Sequence, residues 1–247
     1  MLNNRLTESK IGSATVYVDI VPKGKCIPNA KITPTSITIH NTGNIGASAK
    51  ANHNYMKNIN KSGERIASWH FTVDDVAIYQ AQPTNYKCYH AGNATGNNSS
   101  IGIEICMFND KERQRKAYLN AIELVKILIA YHNFDISKVK RHKDWSGKHC
   151  PAWLIEGKFG YTWEWFKSEI GKKQSILESN ELPYKIKVIY QGKEGLNVRS
   201  ENNTSSKINA VIYYGEVYTI VEEKNGWGKL KSGVGWINLS NKYVKKI

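Results

Sequence analysis

Around residue 172 the chain changes its pattern, and that break limits what it can fold into. Before it, β-branched and aromatic runs are mixed with amphipathic stretches. After it come only short alternating runs punctuated by glycine. Between them, Lys172–Leu182 (KKQSILESNEL) is polar and ends at Pro183, the composition of a linker. A chain of 247 residues has room for two units. We therefore expect residues 1–171 and 184–247 to fold separately, joined by 172–183.

The first part reads as α/β. Ser36–His40 (SITIH), Ser68–Val73 (SWHFTV) and Ile101–Cys106 (IGIEIC) are strand candidates, and Ser48–Asn60 is helix-compatible. Lys111–His132 is the clearest helix, with Tyr118, Ala121, Ile122, Val125, Leu128 and Ile129 spaced at three and four. Trp163, Phe166 and Ile170 predict a last short helix on the same core. A central sheet flanked by helices follows. The second part, with runs such as KIKVIY, LNVRS, WGKLK and VGWINLS, predicts a small all-β barrel or sandwich.

Charge narrows the partners. Lys and Arg number 35 against 21 Asp and Glu, a net +14 spread over both parts. A diffuse positive field suits a polyanion: nucleic acid, an anionic membrane, or a Gram-positive wall with its teichoic acids. No nucleic-acid-reading module or clustered basic stripe is recognisable, so no nucleic-acid partner is expected. The longest nearly apolar stretch, Val125–Tyr131, is far short of the ~20 residues a membrane span needs. Cys26, Cys88, Cys106 and Cys150 do not form a disulfide framework, and Cys26, Cys88 and Cys106 read as free thiols. The first residues, MLNNRLTESK, lack the apolar core of a signal peptide.

Chemistry concentrates in Lys140–Trp153 (KRHKDWSGKHCPAW), which holds His142, Lys148, His149 and Cys150, and at His40, where an apolar strand turns into Asn41-Thr42-Gly43. Zinc accepts imidazole and thiolate, and a catalytic site keeps three protein ligands and one open position. His40, His142 and Cys150 could supply them, although their spacing fits no compact metal motif. Glu104, inside an apolar run, is either a strand residue on a wet face or a carboxylate held for proton transfer.

Five blocks in order, SITIHNT, SWHFTVDD, HAGN, NSSIGIEIC and HKDWSGKHCP, resemble the type 2 N-acetylmuramoyl-L-alanine amidase family over about Pro34 to Phe166. The resemblance implies a mixed central sheet flanked by helices and a zinc cleft with His40, His142 and Cys150 as ligands. It implies Glu104 as general base and Lys148 beside the developing oxyanion. It places His90 in the cleft, as a substrate contact or a structural histidine, while Trp145 could rim the cleft. His70 is expected to pack or hydrogen-bond beneath the site, and His53, His132 and His149 to be ordinary positions. Trp69 stands where some relatives carry a catalytic tyrosine.

The C-terminal pieces, GLNVRSENNTSSKI, GEVYTIVEEKNGWGKLK and GWINLSNKYVKKI, resemble the bacterial SH3-like domain appended to wall hydrolases. Trp227 and Trp236 either fill its core or, with Tyr213, Tyr214 and Tyr218, line a binding groove. Together the resemblances imply a monomeric hydrolase of Gram-positive peptidoglycan using one zinc ion. It would be a phage endolysin made in the host cytoplasm and released through a holin pore, or a bacterial autolysin exported otherwise. A non-catalytic recognition protein using the same cleft is the alternative, disfavoured by the intact His40, His142, Cys150 and Glu104 set.

Overall fold

The computed structural model describes residues 1–172, 182–224, 226–240 and 242–247. The chain divides into two compact units, Met1–Lys173 and Gln174–Ile247. Most of the expected linker lies outside the described residues.

The first unit runs β1 (Lys10–Ile11), β2 (Ala14–Val18), β3 (Ser36–Ile45), α1 (Ala49–Ser62), β4 (Phe71–Val73), β5 (Ala77–Gln80), α2 (Ala94–Ser99), β6 (Ser100–Met107), α3 (Lys111–His132), β7 (Val139–Arg141), α4 (Lys143–Ser146), α5 (Ala152–Glu156) and α6 (Trp163–Gly171). Its seven strands form one sheet in the order β1-β2-β5-β4-β6-β3-β7. β1/β2 and β4/β5 are antiparallel, and the remaining pairs are parallel. This is the mixed sheet with flanking helices that the sequence predicts.

Local chemistry explains the longer elements. At α3 the Asp110 carboxylate accepts from the Arg113 N–H at 2.8 Å, an N-cap, and the helix ends at Asn133 in the left-handed region. Its Ala117, Tyr118, Ala121, Val125 and Leu128 face a core built with Ile37, Ile39, Phe71, Ile101, Ile103 and Phe166. The predicted periodicity holds, though Ile129 is only partly buried. α1 starts at its Ser48 cap and stops at Gly63, whose φ of 75° suits a residue without Cβ.

Two predicted elements differ in extent. SWHFTV pairs as a strand only from Phe71, because Ser68 directs its hydrogen bonds to other segments: its N–H to the Tyr89 carbonyl and its Oγ to that of Cys26. SITIH extends through Ile45, because the chain past His40 still meets β6 after an irregularity between Asn41 and Ile45.

The second unit has seven strands: β8 (Tyr184–Val188), β9 (Leu196–Arg199), β10 (Ile208–Ile212), β11 (Val217–Lys224), β12 (Trp227–Leu230), β13 (Trp236–Asn238) and β14 (Val244–Lys246). All pairs are antiparallel, ordered β10-β9-β13-β12-β11-β8-β14. A barrel is one form the sequence predicts. The pairing instead leaves β10 and β14 as ends, with no closing pair among the described residues. Every strand still adds a residue to one apolar cluster, which includes Ile186, Val198, Ile212, Ile220, Leu230, Ile237 and Val244. Trp227 is buried and Trp236 half-buried, whereas Tyr213 and Tyr214 are 53% and 59% exposed. Among the described residues no helix is long and apolar enough to cross a membrane.

Candidate functional site

Three neighbouring strands build the site. β3 lies between β6 and β7, and the parallel register sets His40 directly beside Glu104. On the other side, Ile39 pairs with Arg141, so His142 leaves the end of β7 next to His40. Its N–H donates to the Ile39 carbonyl at 3.3 Å. The loop after α4 then returns Cys150, whose carbonyl accepts from the Lys143 N–H at 2.9 Å. Residues far apart in the chain thus meet at the end of one strand trio.

The donors converge. His40 Nδ1 stands 3.0 Å from His142 Nδ1 and 3.8 Å from Cys150 Sγ, and all three ligand atoms lie within 4.8 Å of one another. A tetrahedral zinc site with ordinary bond lengths separates its nitrogen and sulfur donors by roughly 3.3–3.6 Å. The two separations from His40, 3.0 and 3.8 Å, lie within a few tenths of an ångström of the spacing such an ion requires. Glu104 Oε1 is 4.0 Å from His40 Nδ1, while Oε2 is buried without a partner, as is His142 Nε2.

Hydrogen bonds fix which atom of His40 is available. His90 Nε2 lies 3.2 Å from the Ser100 carbonyl, which can only accept, so His90 carries its proton there. His90 Nδ1 is then an acceptor, and the proton between it and His40 Nε2, 3.0 Å away, belongs to His40. The His40 lone pair is thereby left on Nδ1, facing His142 and Cys150. Partners of this type set the tautomer of a ligating imidazole. Burial holds His40 well below the usual histidine range, with His90 and His142 adding to the effect, and pushes His90 and His142 down to about 3 and about 4. The imidazoles are therefore neutral, the state a metal requires. Burial, reinforced by Glu104, raises the Cys150 thiol to about 12, so a nearby cation is what would ionise it. Donor identity, protonation and spacing all fit zinc.

Burial likewise lifts Glu104 to about 8, against the pull of Lys148 and Arg65. Lys148 is exposed, and its charge also bears on His40 and His142. Its position is fixed by the Cys150 N–H, which donates to the Lys148 carbonyl at 2.7 Å.

The other predicted residues fall around this centre. Both ring nitrogens of His90 are engaged inside the protein, so its polar atoms support His40. His70 lies a layer deeper: Nδ1 accepts from the Gly102 N–H at 2.9 Å and Nε2 donates to the Tyr86 carbonyl at 2.8 Å. Trp145 donates from Nε1 to Thr38 Oγ1 at 2.9 Å, packs near Gly96 and is half-buried. Trp69 presents its ring to the pocket beside Glu104, while its Nε1 donates to Thr72 Oγ1 at 2.7 Å. No proton donor therefore faces the pocket from that position. His149 is exposed and pairs with Glu156. His53 meets Asp19, and His132 meets Thr84.

That pocket encloses about 310 Å³ and includes Thr42, Asn44, Asn52, Tyr55 and Arg65 in its walls. Sequence reasoning missed these. Thr42, whose Oγ1 is buried and unpartnered, stands two residues after His40 and was within reach of the motif. Arg65 carries no pattern that distinguishes it from other surface arginines. A roomier hollow of about 580 Å³ is lined by Lys23, Lys25, Lys57 and Lys61 and holds neither a nucleophile nor an acid–base pair.

Fold and site together define a class: a mixed α/β domain with a metal-capable His–His–Cys centre beside a buried carboxylate. The chain belongs to the N-acetylmuramoyl-L-alanine amidase family, whose model matches residues 30–153, and a bacterial SH3 domain matches residues 194–245. It is 46% identical over 161 residues to the N-acetylmuramoyl-L-alanine amidase XlyA of Bacillus subtilis (strain 168), covering 63% of this chain and 51% of that protein. The amidase CwlH of the same strain is 43% identical over 148 residues, covering 58% and 57%. The chain thus spans about half the length of these relatives. The solved catalytic domain of XlyA aligns with a TM-score of 0.57 at 44% identity, over 64% of this chain and 100% of that one. The structure of PlyL aligns with 0.54 at 33% identity, over 64% and 96%.

Proposed function

We propose that this chain hydrolyses the amide between N-acetylmuramic acid and L-alanine in Gram-positive peptidoglycan, using one zinc ion held by His40, His142 and Cys150. The observation that carries the reading is the convergence of those three donors beside the unpartnered carboxylate of Glu104. The relatives named as amidases agree with it. Residues 1–171 would be the catalytic domain and 184–247 the wall-binding domain of a monomeric endolysin, with 172–183 as tether.

Zinc, when bound, supplies a Lewis acid that polarises the lactyl carbonyl and makes water more acidic. Glu104 takes the proton of the attacking water as the new C–O bond forms. It returns that proton to the L-alanine nitrogen as the C–N bond breaks. Its burial favours holding the proton between the two transfers. The Lys148 ammonium offers positive charge to the oxyanion. His90 keeps His40 in the tautomer that presents Nδ1.

The test is a digest of purified Gram-positive peptidoglycan, with and without chelator, read by mass spectrometry. New L-alanine amines that vanish with chelator, and no new reducing sugar ends, are the expected result. Sedimentation with the wall without new ends of either kind would overturn the proposal in favour of a binding protein.

A further inference from the structure

The pocket beside Glu104 has a charge that the hydrolysis itself does not use. Arg65 is exposed at its wall and near enough for its field to act on Glu104. Among the described residues no carboxylate pairs with it, in contrast to Arg113 and Arg141, which are engaged by Asp75 and Asp144. Apart from Glu104, whose carboxyl burial favours in its protonated form, the other walls are neutral. Asn52 directs its amide N–H groups to the Ala47 and Ser48 carbonyls, and the Trp69 indole N–H points inward to Thr72. Thr42 Oγ1 is a second polar atom without a partner.

A guanidinium presented in a pocket selects a planar anion, which it grips through two parallel N–H groups. On the proposed reading the occupant is the muramoyl stem peptide, and its chemistry says which anion is in reach. The sugar and its lactyl arm are neutral once the amide is formed. L-alanine carries no charged side chain. The first charge along the stem belongs to the second residue, a glutamate joined through its side-chain carboxyl, whose α-carboxyl is either free or amidated. Successive Cα atoms of a peptide lie about 3.8 Å apart. That group therefore sits within two residues' length of the scissile nitrogen, up to about 6 Å along an extended stem, and about 310 Å³ accommodates it.

The geometry points to Arg65 as a specificity residue that binds the free α-carboxylate of the second stem residue, so that the enzyme prefers acidic stems to amidated ones. This rests on the amidase reading above, and the two can fail separately.

The experiment uses two synthetic muramoyl tripeptides that differ only in carboxylate or carboxamide at that position. Steady-state cleavage by the zinc-loaded full chain is measured alongside calorimetric binding of each peptide. An exposed Arg–carboxylate contact is worth roughly a 1.5- to 5-fold preference in kcat/KM. The wild type is expected to show it for the acid, carried by KM. In Arg65→Gln the ratio should fall to near one, and Arg65→Lys should restore part of it. Equal cleavage and equal binding of the two peptides by the wild type would overturn the inference while leaving the amidase reading intact. A preference kept by Arg65→Gln would overturn it too. Tighter, Arg65-dependent binding of the acid without cleavage of either peptide would sustain the inference and count against the amidase reading instead.

Discussion

Glu104 is a carboxylate that burial pushes up to about 8, placed by strand register beside a metal-capable histidine that it does not need to ligate. An acid–base group of this kind contributes about 10²–10⁴-fold to rate. Glu104→Gln keeps the volume and removes the proton transfer. We expect kcat on muramoyl peptides to fall by that order while metal analysis still finds zinc. Loss of zinc along with activity would instead make Glu104 a ligand. His40, Glu104, His142 and Cys150 could be picked out as candidates because each stands in a distinctive block. The tautomer of His40 was not, because it depends on His90 and Ser100, which only the folded sheet brings within 3.0 and 3.2 Å.

At the level of the element, β6 does more than carry Glu104. Gly102, two positions before it, leaves room for the His90 ring. A Cβ there would stand 2.7 Å from His90 Cγ and 2.9 Å from Nδ1. The ring cannot yield, since both of its nitrogens are bonded. Gly102→Ala is expected to cost about 1–3 kcal/mol by overpacking. It should also weaken zinc binding ~10–100-fold, as loss of a ligand's hydrogen-bond partner does. His90→Ala should weaken zinc similarly without the crowding. Competition with a chromophoric chelator measures both, and wild-type affinity in the pair would deny His90 its supporting role. The long helices and the main strands were legible from periodicity and caps. β1, β2, β5 and β7 were not, because runs of two to five residues hold no period to read and exist only as partners of their neighbours.

For the whole molecule, two expectations follow from separate cores and from buried histidines. The apolar cluster of the first unit and that of the second draw on different residues. A chain ending at Lys173 should therefore retain cleavage of soluble muramoyl peptides and lose cosedimentation with intact walls. Failure to fold would show that the units depend on one another. His70, fully buried, is held down at about 4 from an ordinary 6.5 by loss of hydration. The unfolded chain then binds a proton that the folded one refuses between those values. Stability is full above pH 6.5 and declines as pH falls towards 4, by ~3 kcal/mol for this residue. Urea unfolding of the zinc-free protein from pH 7 to pH 4 should show the decline. His70→Gln, which keeps a donor and an acceptor, should lessen it by His70's share while His40, His90 and His142, held low by the same burial, sustain the rest, and an unchanged slope would assign the whole effect to those other groups.

The sequence by itself determined the α/β and all-β characters of the two parts; it also carried a change of pattern close to where the two compact units divide, and the residue types of the proposed zinc site. Those depend on local pattern and on side-chain chemistry that travels with the residue. Tertiary structure alone decided that β3 lies between β6 and β7, that the second unit's sheet has open ends among the described residues, and that Arg65 shares a pocket with Glu104. Each of these is a contact between distant segments, made because apolar faces must be covered and buried polar atoms must find partners, and no local run of residues encodes it.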